Sequence, residues 1–287
     1  MQTILNILQD TAIDTIKLIP FLFITYLIME YIEHKTSNKL RETIKKSGKF
    51  GPLLGAVVGI FPQCGFSVSA TNLYAGKVIT VGTLLAVYMS TSDEMLPIMI
   101  SNAVPVSVML RILACKAGIA IFSGLMIEYV YVHVMKKREK DMDVHVLCEE
   151  EHCHCEHGIV KSAVVHTLKI FIYIFLISLA LNIIIGLVGE NTLAELFTGI
   201  PVMGEIIAAL VGLIPNCASS VVITQLYLDQ IIGAGAMMAG LLVNAGVGLL
   251  VLFRLNKNRK ENLKIVGALY VLGVFWGVVI ELLGIVF

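Results

Sequence analysis

Two cysteines in apolar surroundings, Cys64 and Cys217, stand at the centre of a motif that occurs twice. Gly59-Ile-Phe-Pro62-Gln63-Cys64-Gly-Phe-Ser67 is answered by Gly212-Leu-Ile-Pro215-Asn216-Cys217-Ala-Ser219-Ser220, at an offset of 153 residues (212 less 59). Thiols are soft ligands suited to thiophilic ions and trivalent metalloids, whereas the amides of Gln63, Asn72 and Asn216 and the hydroxyls of Ser67, Ser219, Ser220 and Thr224 are hard donors. Two thiols are fewer than a closed structural zinc site uses, and incomplete coordination suits an ion that must be released. The bland alternative is a pair of inert thiols packed as small hydrophobes. Pro62 and Pro215 remove a backbone donor and disfavour helix in the residue before them, so each should end a short helix. Backbone groups freed at membrane depth are tolerated only inside protein or beside a wet cavity. These motif residues, with Asn244, are the candidate substrate-binding set.

Ser90-Thr91-Ser92-Asp93-Glu94 interrupts a second apolar run, and its counterpart at the same offset is Val243-Asn244-Ala245-Gly246-Val247. The acids therefore belong to one half only. Intramembrane carboxylates are costly and usually mark ion or proton paths, which makes Asp93, and after it Glu94, the coupling candidates. Hydrated residues at a membrane interface are the competing account. Glu128 and Glu281 match in register but approach helix ends, where a solvated or snorkelling role is expected. A third cluster, Cys148, His152, Cys153, His154, Cys155 and His157, is flanked by acids and fits no zinc-finger spacing. Such tracts bind metal ions readily, so a transient metal ion in this loop is expected and no tightly bound cofactor.

The elements that must position these groups are hydrophobic helices. Of 287 residues, 57% are hydrophobic and 15% charged, and the mean hydropathy is +0.87, a balance typical of polytopic membrane proteins. Zero net charge gives no reason to expect nucleic acid. No phosphate loop, His-Glu-x-x-His or G-x-S-x-G motif is present, which argues against ATP-driven pumping and common hydrolase chemistry, so the chain does not read as an enzyme. Met1 to Asp10 lack Lys and Arg, and a removable signal peptide is not expected. The cysteines do not form a secreted disulfide framework.

The 153-residue register extends well beyond the motif. Thr71 meets Thr224, Tyr74 meets Tyr227, Gly82 meets Gly235, Ala86 meets Ala239, Gly124 meets Gly277 and Glu128 meets Glu281. The chain divides into a membrane repeat over 1–135, a His/Cys-rich linker over 136–161 and a second repeat over 162–287. Each repeat opens with a spanning helix, Ala12 to Ile32 and Val165 to Leu187, close to the ~20 residues a crossing needs. Two short apolar pieces follow, in the second copy Met203 to Ile214 and Cys217 to Leu228, and then a span over Ile232 to Phe253. Basic residues crowd Lys35 to Lys49, Lys136 to Lys140 and Arg254 to Lys264, while Gly189 to Pro201 has none. By the positive-inside tendency the first three loops are cytoplasmic and the fourth external. The repeats are then inverted. Each has three crossings and one re-entrant or broken helical hairpin, about ten hydrophobic segments in all, with both termini outside and the linker cytoplasmic.

At Pro62-Gln-Cys64-Gly-Phe-Ser67 and Pro215-Asn-Cys217-Ala-Ser-Ser220, with the His/Cys-rich central loop, the chain resembles a family of bacterial ten-span heavy-metal exporters, whose members are called arsenic efflux proteins or manganese transporters. The resemblance implies metal or metalloid efflux across the bacterial cytoplasmic membrane without fixing the ion. The expected function is an all-α secondary-active exporter working by alternating access and coupled to protons. Its partners would be a metal or metalloid ion and the bilayer, and a homo-oligomer is compatible with the sequence. Manganese is the alternative substrate. A membrane thiol-disulfide electron carrier using Cys64 and Cys217 is the alternative of another class.

Overall fold

The computed structural model describes residues 50–61, 65–92, 95–131, 159–188 and 203–287, with scattered helical positions between 8 and 27. The described residues are helical, without strands. In chain order they form α1 (Gly51–Gly59), α2 (Gly65–Ala75), α3 (Val81–Ser90), α4 (Met95–Ser101), α5 (Val106–Tyr129), α6 (Ile159–Val188), α7 (Met203–Gly212), α8 (Cys217–Leu228), α9 (Ala234–Val243), α10 (Gly248–Leu255) and α11 (Arg259–Leu282). Local chemistry sets several of these ends. Pro52 opens α1, where a missing N–H costs nothing. Thr80 caps α3 by accepting the Thr83 N–H at 3.2 Å, and Asn216 caps α8 by accepting the Ala218 N–H at 3.2 Å, each satisfying a helix-start donor that has no partner in its own turn.

α1 and α2 form a hairpin laid against α3. Gly51 abuts Thr83 and Gly59 abuts Ser90, so α1 runs in the same sense as α3. α2 returns alongside, and residues 76–80 lead directly into α3. The hairpin therefore enters and leaves at one end, with the C-terminus of α1 level with the C-terminus of α3. α7 and α8 repeat the arrangement: Gly204 faces Ala236, and Gly212 faces the Gly240 backbone. Hairpins, rather than broken crossings, carry the motif.

The next layer repeats as well. A Cβ on Gly82 would lie 2.5 Å from the Gly124 carbonyl oxygen, and one on Gly124 would lie 2.9 Å from the Ala86 Cβ. At the register mates, a Cβ on Gly235 would lie 2.6 Å from the Gly277 oxygen, and one on Gly277 2.6 Å from the Ala239 Cβ. Backbone-to-backbone approach of α3 with α5, and of α9 with α11, thus requires glycine in both partners. The space beside Gly235 also admits Glu281, whose Oε2 accepts the Gly235 N–H at 3.0 Å, and Glu128 Oε2 sits in the matching place beside Gly82. Glu281 is exposed and Glu128 half-buried, in keeping with the solvated role the sequence suggests, and both also lie at the N-termini of α9 and α3, where the helix dipole favours negative charge.

One boundary differs in kind from expectation. The span read as Ile232 to Phe253 is two helices, α9 and α10, separated at Asn244. Asn244 Oδ1 takes the Gly246 N–H at 2.9 Å and Gly246 adopts φ +53°, a left-handed turn that glycine tolerates without a Cβ penalty. The break occupies the register position of the one between α3 and α4. α6 also begins earlier than Val165, at Ile159.

Three described stretches, Val106–Tyr129, Ala234–Leu255 and Arg259–Leu282, are long and apolar enough to cross a membrane. The middle one is 89% buried while the other two are 39% and 33% buried, which puts the broken pair α9–α10 at the centre and α5 and α11 at the periphery. Leu110, Phe122 and Leu125 on α5, and Val271, Phe275 and Leu282 on α11, point outward, as hydrocarbon-facing side chains should. The halves touch where Trp276 donates its indole N–H to Ser123 Oγ at 2.9 Å, a contact between residues 153 apart.

Candidate functional site

The start of α8, at the second hairpin's tip, and the two helix breaks converge. Thr91 and Ser92, at the end of α3, face Asn244 and Leu241, at the end of α9, with Ser220 of α8 and Met95 of α4 closing the crevice. Thr91 and Asn244 are register mates. The crevice is too narrow for a water molecule, and its polar residues are almost wholly buried. Thr91 Oγ1 donates to the Val87 carbonyl at 2.7 Å and Ser92 Oγ to the Ser90 carbonyl at 3.1 Å, which leaves hydroxyl lone pairs, acceptors for a cation or a proton donor.

Beside the crevice lies a network joining the halves. Thr71 Oγ1 is 2.7 Å from the Ser67 carbonyl, 2.6 Å from the Tyr88 hydroxyl and 3.2 Å from the Gly248 carbonyl; Tyr88 also donates to Gly248 at 3.3 Å. α2 can lie this close to α10 because Gly248 carries no side chain: a Cβ there would be 3.1 Å from the Ser67 hydroxyl. In the mirror position, Thr224 is equally buried, yet its hydroxyl has no hydrogen-bond partner among the described residues. Two of the partners Thr71 has are lost to broken symmetry, since Tyr88 corresponds to Leu241 and Gly248 to Met95. Ser219 bonds the Asn216 carbonyl at 2.7 Å, which holds the second hairpin tip in shape, with Pro215 in the same turn.

Lys116 was not anticipated. It lies in the 24-residue apolar helix α5, is 1% exposed, and donates to the Thr91 carbonyl at 2.5 Å and the Leu241 carbonyl at 3.1 Å. The available signal was a lysine at the middle of a largely apolar span, one helical turn and a half beyond Arg111, a costly placement that usually marks function. Basic residues orient loops where they cluster, whereas one inside a span carries no partner in its sequence neighbourhood. Tyr88 was missed for a similar reason, because an aromatic in an apolar run reads as core.

Of the expected site residues, Ser67, Asn72, Asn216, Ser219, Ser220, Thr224 and Asn244 are buried around the two hairpins and breaks. Pro62, Gln63, Cys64, Asp93 and Glu94 lie outside the described residues, as do Cys148, His152, Cys153, His154, Cys155 and His157, and the side chain of Cys217 is likewise not described. Among the described residues no group of His, Cys, Asp and Glu could hold a metal ion. The sulfur-to-sulfur approach expected between Cys64 and Cys217 thus has no described geometry.

An all-helical chain with long apolar spans, outward-facing hydrocarbon side chains and a buried polar centre is a multi-pass membrane protein. It belongs to the family described as "Putative, 10TM heavy-metal exporter", whose model matches residues 2–187. No curated protein and no solved structure matches the chain.

Proposed function

We propose that the protein is a secondary-active exporter that carries a heavy metal or metalloid out of the cytoplasm by alternating access, built from two inverted repeats. Several contacts support inversion. The N-terminus of α3, the C-terminus of α5 and the N-terminus of α11 surround one cavity of about 330 Å3, and Tyr74, at the open end of the first hairpin, donates to Glu261 at 3.0 Å. α3 therefore departs from the end at which α10 finishes, whereas its mate α9 sets out from the other. Arg254, Arg259, Lys260 and Lys264 mark that shared end as cytoplasmic. The two hairpins are then re-entrant, one from each side.

The observation that carries the reading is the meeting of Thr91 and Asn244, register mates at the breaks of two central helices, in one buried crevice beside Ser220. Broken helices at membrane depth persist where they line a site. The crevice is closed, as an occluded intermediate would be, and opening to either side requires one hairpin and its broken helix to move against the other pair. In this scheme Gln63, Cys64, Asn216 and Cys217 add amide and thiol donors at the tips, and Asp93, followed by Glu94, couples the substrate to protons. The Cys148–His157 loop captures metal transiently on the cytoplasmic side. Thiols favour an arsenic-type or soft-metal substrate. The second reading, a divalent cation such as manganese, is favoured by the hard oxygen donors of Thr91, Ser92, Ser220 and Asn244, which outnumber the one soft thioether in the crevice, that of Met95.

The test is accumulation of arsenite, manganese, zinc, cadmium and copper in a metal-sensitive bacterium expressing wild type, Cys64→Ser, Cys217→Ser or Asp93→Asn. Wild type should lower the accumulation of one ion, and each variant should restore it. Equal accumulation of every ion in all strains would defeat the exporter reading. Unchanged accumulation, together with a trapped mixed disulfide to a thioredoxin-like partner, would favour the electron carrier.

A further inference from the structure

We propose that Lys116 is a tethered cation: its ammonium occupies the substrate site of the empty carrier, and a cationic substrate displaces it. The inference rests on reading the crevice between Thr91 and Asn244 as that site. Lys116 is the only buried Lys or Arg among the described residues, and Thr91 and Leu241, two residues whose carbonyls accept from it, both line the crevice.

Those carbonyls are also of one kind. Thr91 is the C-cap of α3, and Leu241 lies in the last turn of α9, whose C-cap is Asn244. The final carbonyls of a helix have no partner within the helix and carry the negative end of its dipole. Two such ends, one from each half, converge on a single ammonium. In transporters with broken helices, C-terminal half-helix ends and unwound carbonyls are the groups that coordinate cations. An ammonium with three donors is the side chain that can stand in for such an ion. It does so from one half only, because the register mate of Lys116 is Leu269.

Mutual exclusion follows from space and charge. The crevice has no room for a second occupant, and two cations within a few ångströms repel strongly in a dry interior. A cation entering from the cytoplasm must move the ammonium off at least one carbonyl, and the ammonium returns when the cation leaves. The returning carrier then has both helix ends neutralised and can close without cargo. A carrier lacking the tethered charge would close well only around its substrate. It would exchange ions across the membrane but fail to export them net.

The experiment uses the full chain, purified and reconstituted, with manganese(II) as probe and arsenite in parallel. Wild type is compared with Lys116→Met, Lys116→Gln, Lys116→Arg and Asn244→Leu, each checked for a monodisperse folded state. Lys116→Met and Lys116→Gln should bind manganese(II) at least tenfold more tightly than wild type. They should retain manganese-for-manganese exchange and lose net efflux into metal-free buffer, while Lys116→Arg keeps net efflux. Gln retains a donor without charge, so a merely structural role predicts that it behaves like wild type, and that result would overturn the proposal. So would unchanged binding and net efflux in Lys116→Met, or folding of Lys116→Arg alone. Binding of arsenite but not manganese(II) would also overturn it, because neutral arsenous acid has no charge with which to displace the ammonium. Asn244→Leu separates the two levels: full binding and efflux in that variant would mean that the crevice is not the substrate site, whereas lost binding there with unchanged Lys116 variants would leave the site standing and remove only the tethered cation.

Discussion

Replacing each of two register-matched threonines by valine should give opposite results. Thr71 and Thr224 are both fully buried on the second arm of a hairpin, and valine keeps their shape while removing the hydroxyl. Thr71 Oγ1 has three oxygen neighbours within 3.2 Å, and Tyr88 keeps a bond to Gly248 without it, so Thr71→Val should cost about 1 to 2 kcal/mol. Thr224 Oγ1 has no partner among the described residues, and a lone buried hydroxyl costs about 1 to 3 kcal/mol. Thr224→Val should therefore be neutral or stabilising by about 1 kcal/mol, since transfer into a low-dielectric interior no longer strands a polar atom. The gap between the variants is on the order of 1 to 3 kcal/mol, or several degrees of melting temperature, readable in detergent by thermal unfolding. The same pair should reverse in transport. Thr224 lies one turn beyond Ser220, and a donor held unpaired beside the crevice is available to the substrate or its hydration shell, so Thr224→Val should lower export several-fold in a protein at least as stable as wild type. Loss of stability in Thr224→Val equal to that in Thr71→Val would refute the reasoning, because it would mean that the hydroxyl has a partner.

Gly82→Ala and Gly235→Ala should each destabilise by about 1 to 3 kcal/mol or more, because the new methyl meets a backbone oxygen that cannot step aside; Gly118→Ala and Gly267→Ala, where nothing lies within 4 Å, should be neutral or stabilising in the same thermal assay. Trp276→Phe and Ser123→Ala should each lose about 1 kcal/mol from the single hydrogen bond they share, and the double variant should lose little more than either alone, measured as a double-mutant cycle. Deleting residues 148–157 should reduce export only at low metal concentration, with the maximal rate retained; unchanged export at every concentration would reduce the loop to an incidental chelator.

Much of this architecture could be read from the residues because it rests on glycine, proline and small polar side chains, whose positions repeat at a fixed offset. The Gly82–Gly124 and Gly235–Gly277 contacts are the visible case: matched glycines in the sequence became matched backbone approaches. The helix end at Leu228 is legible too, since hydropathy changes sharply there. The break at Asn244 was less legible. Val243-Asn-Ala-Gly-Val247 contains one polar residue and no proline, and the turn depends on an Asn side chain bonding two residues ahead, which periodicity does not register. The acids of the first half mark 90–94 as an interruption, whereas the copy at 243–247, without them, reads as continuous helix. Lys116 was hidden differently. Its position in sequence says only that a charge sits in a span, while its role depends on two carbonyls, one of them 125 residues away.

The pattern of what repeats and what does not has a mechanical sense. The glycine contacts are kept in both halves because backbone packing leaves them no freedom, whereas the polar residues around the crevice diverge: Thr91 against Asn244, Tyr88 against Leu241, Lys116 against Leu269. Were the halves identical, inward-open and outward-open states would be mirror images of equal free energy, with equal affinity for the cargo on both sides. A carrier of that kind can still follow a gradient, but nothing in it sets which state the empty protein prefers. A bias between two conformations can come only from interactions that differ between them. A shared scaffold therefore supplies the two states, and the handful of polar residues present in one copy alone must supply the preference. Among these, the buried ammonium of Lys116 is the charge that bridges a carbonyl from each half, and the symmetric glycines are the least able to contribute.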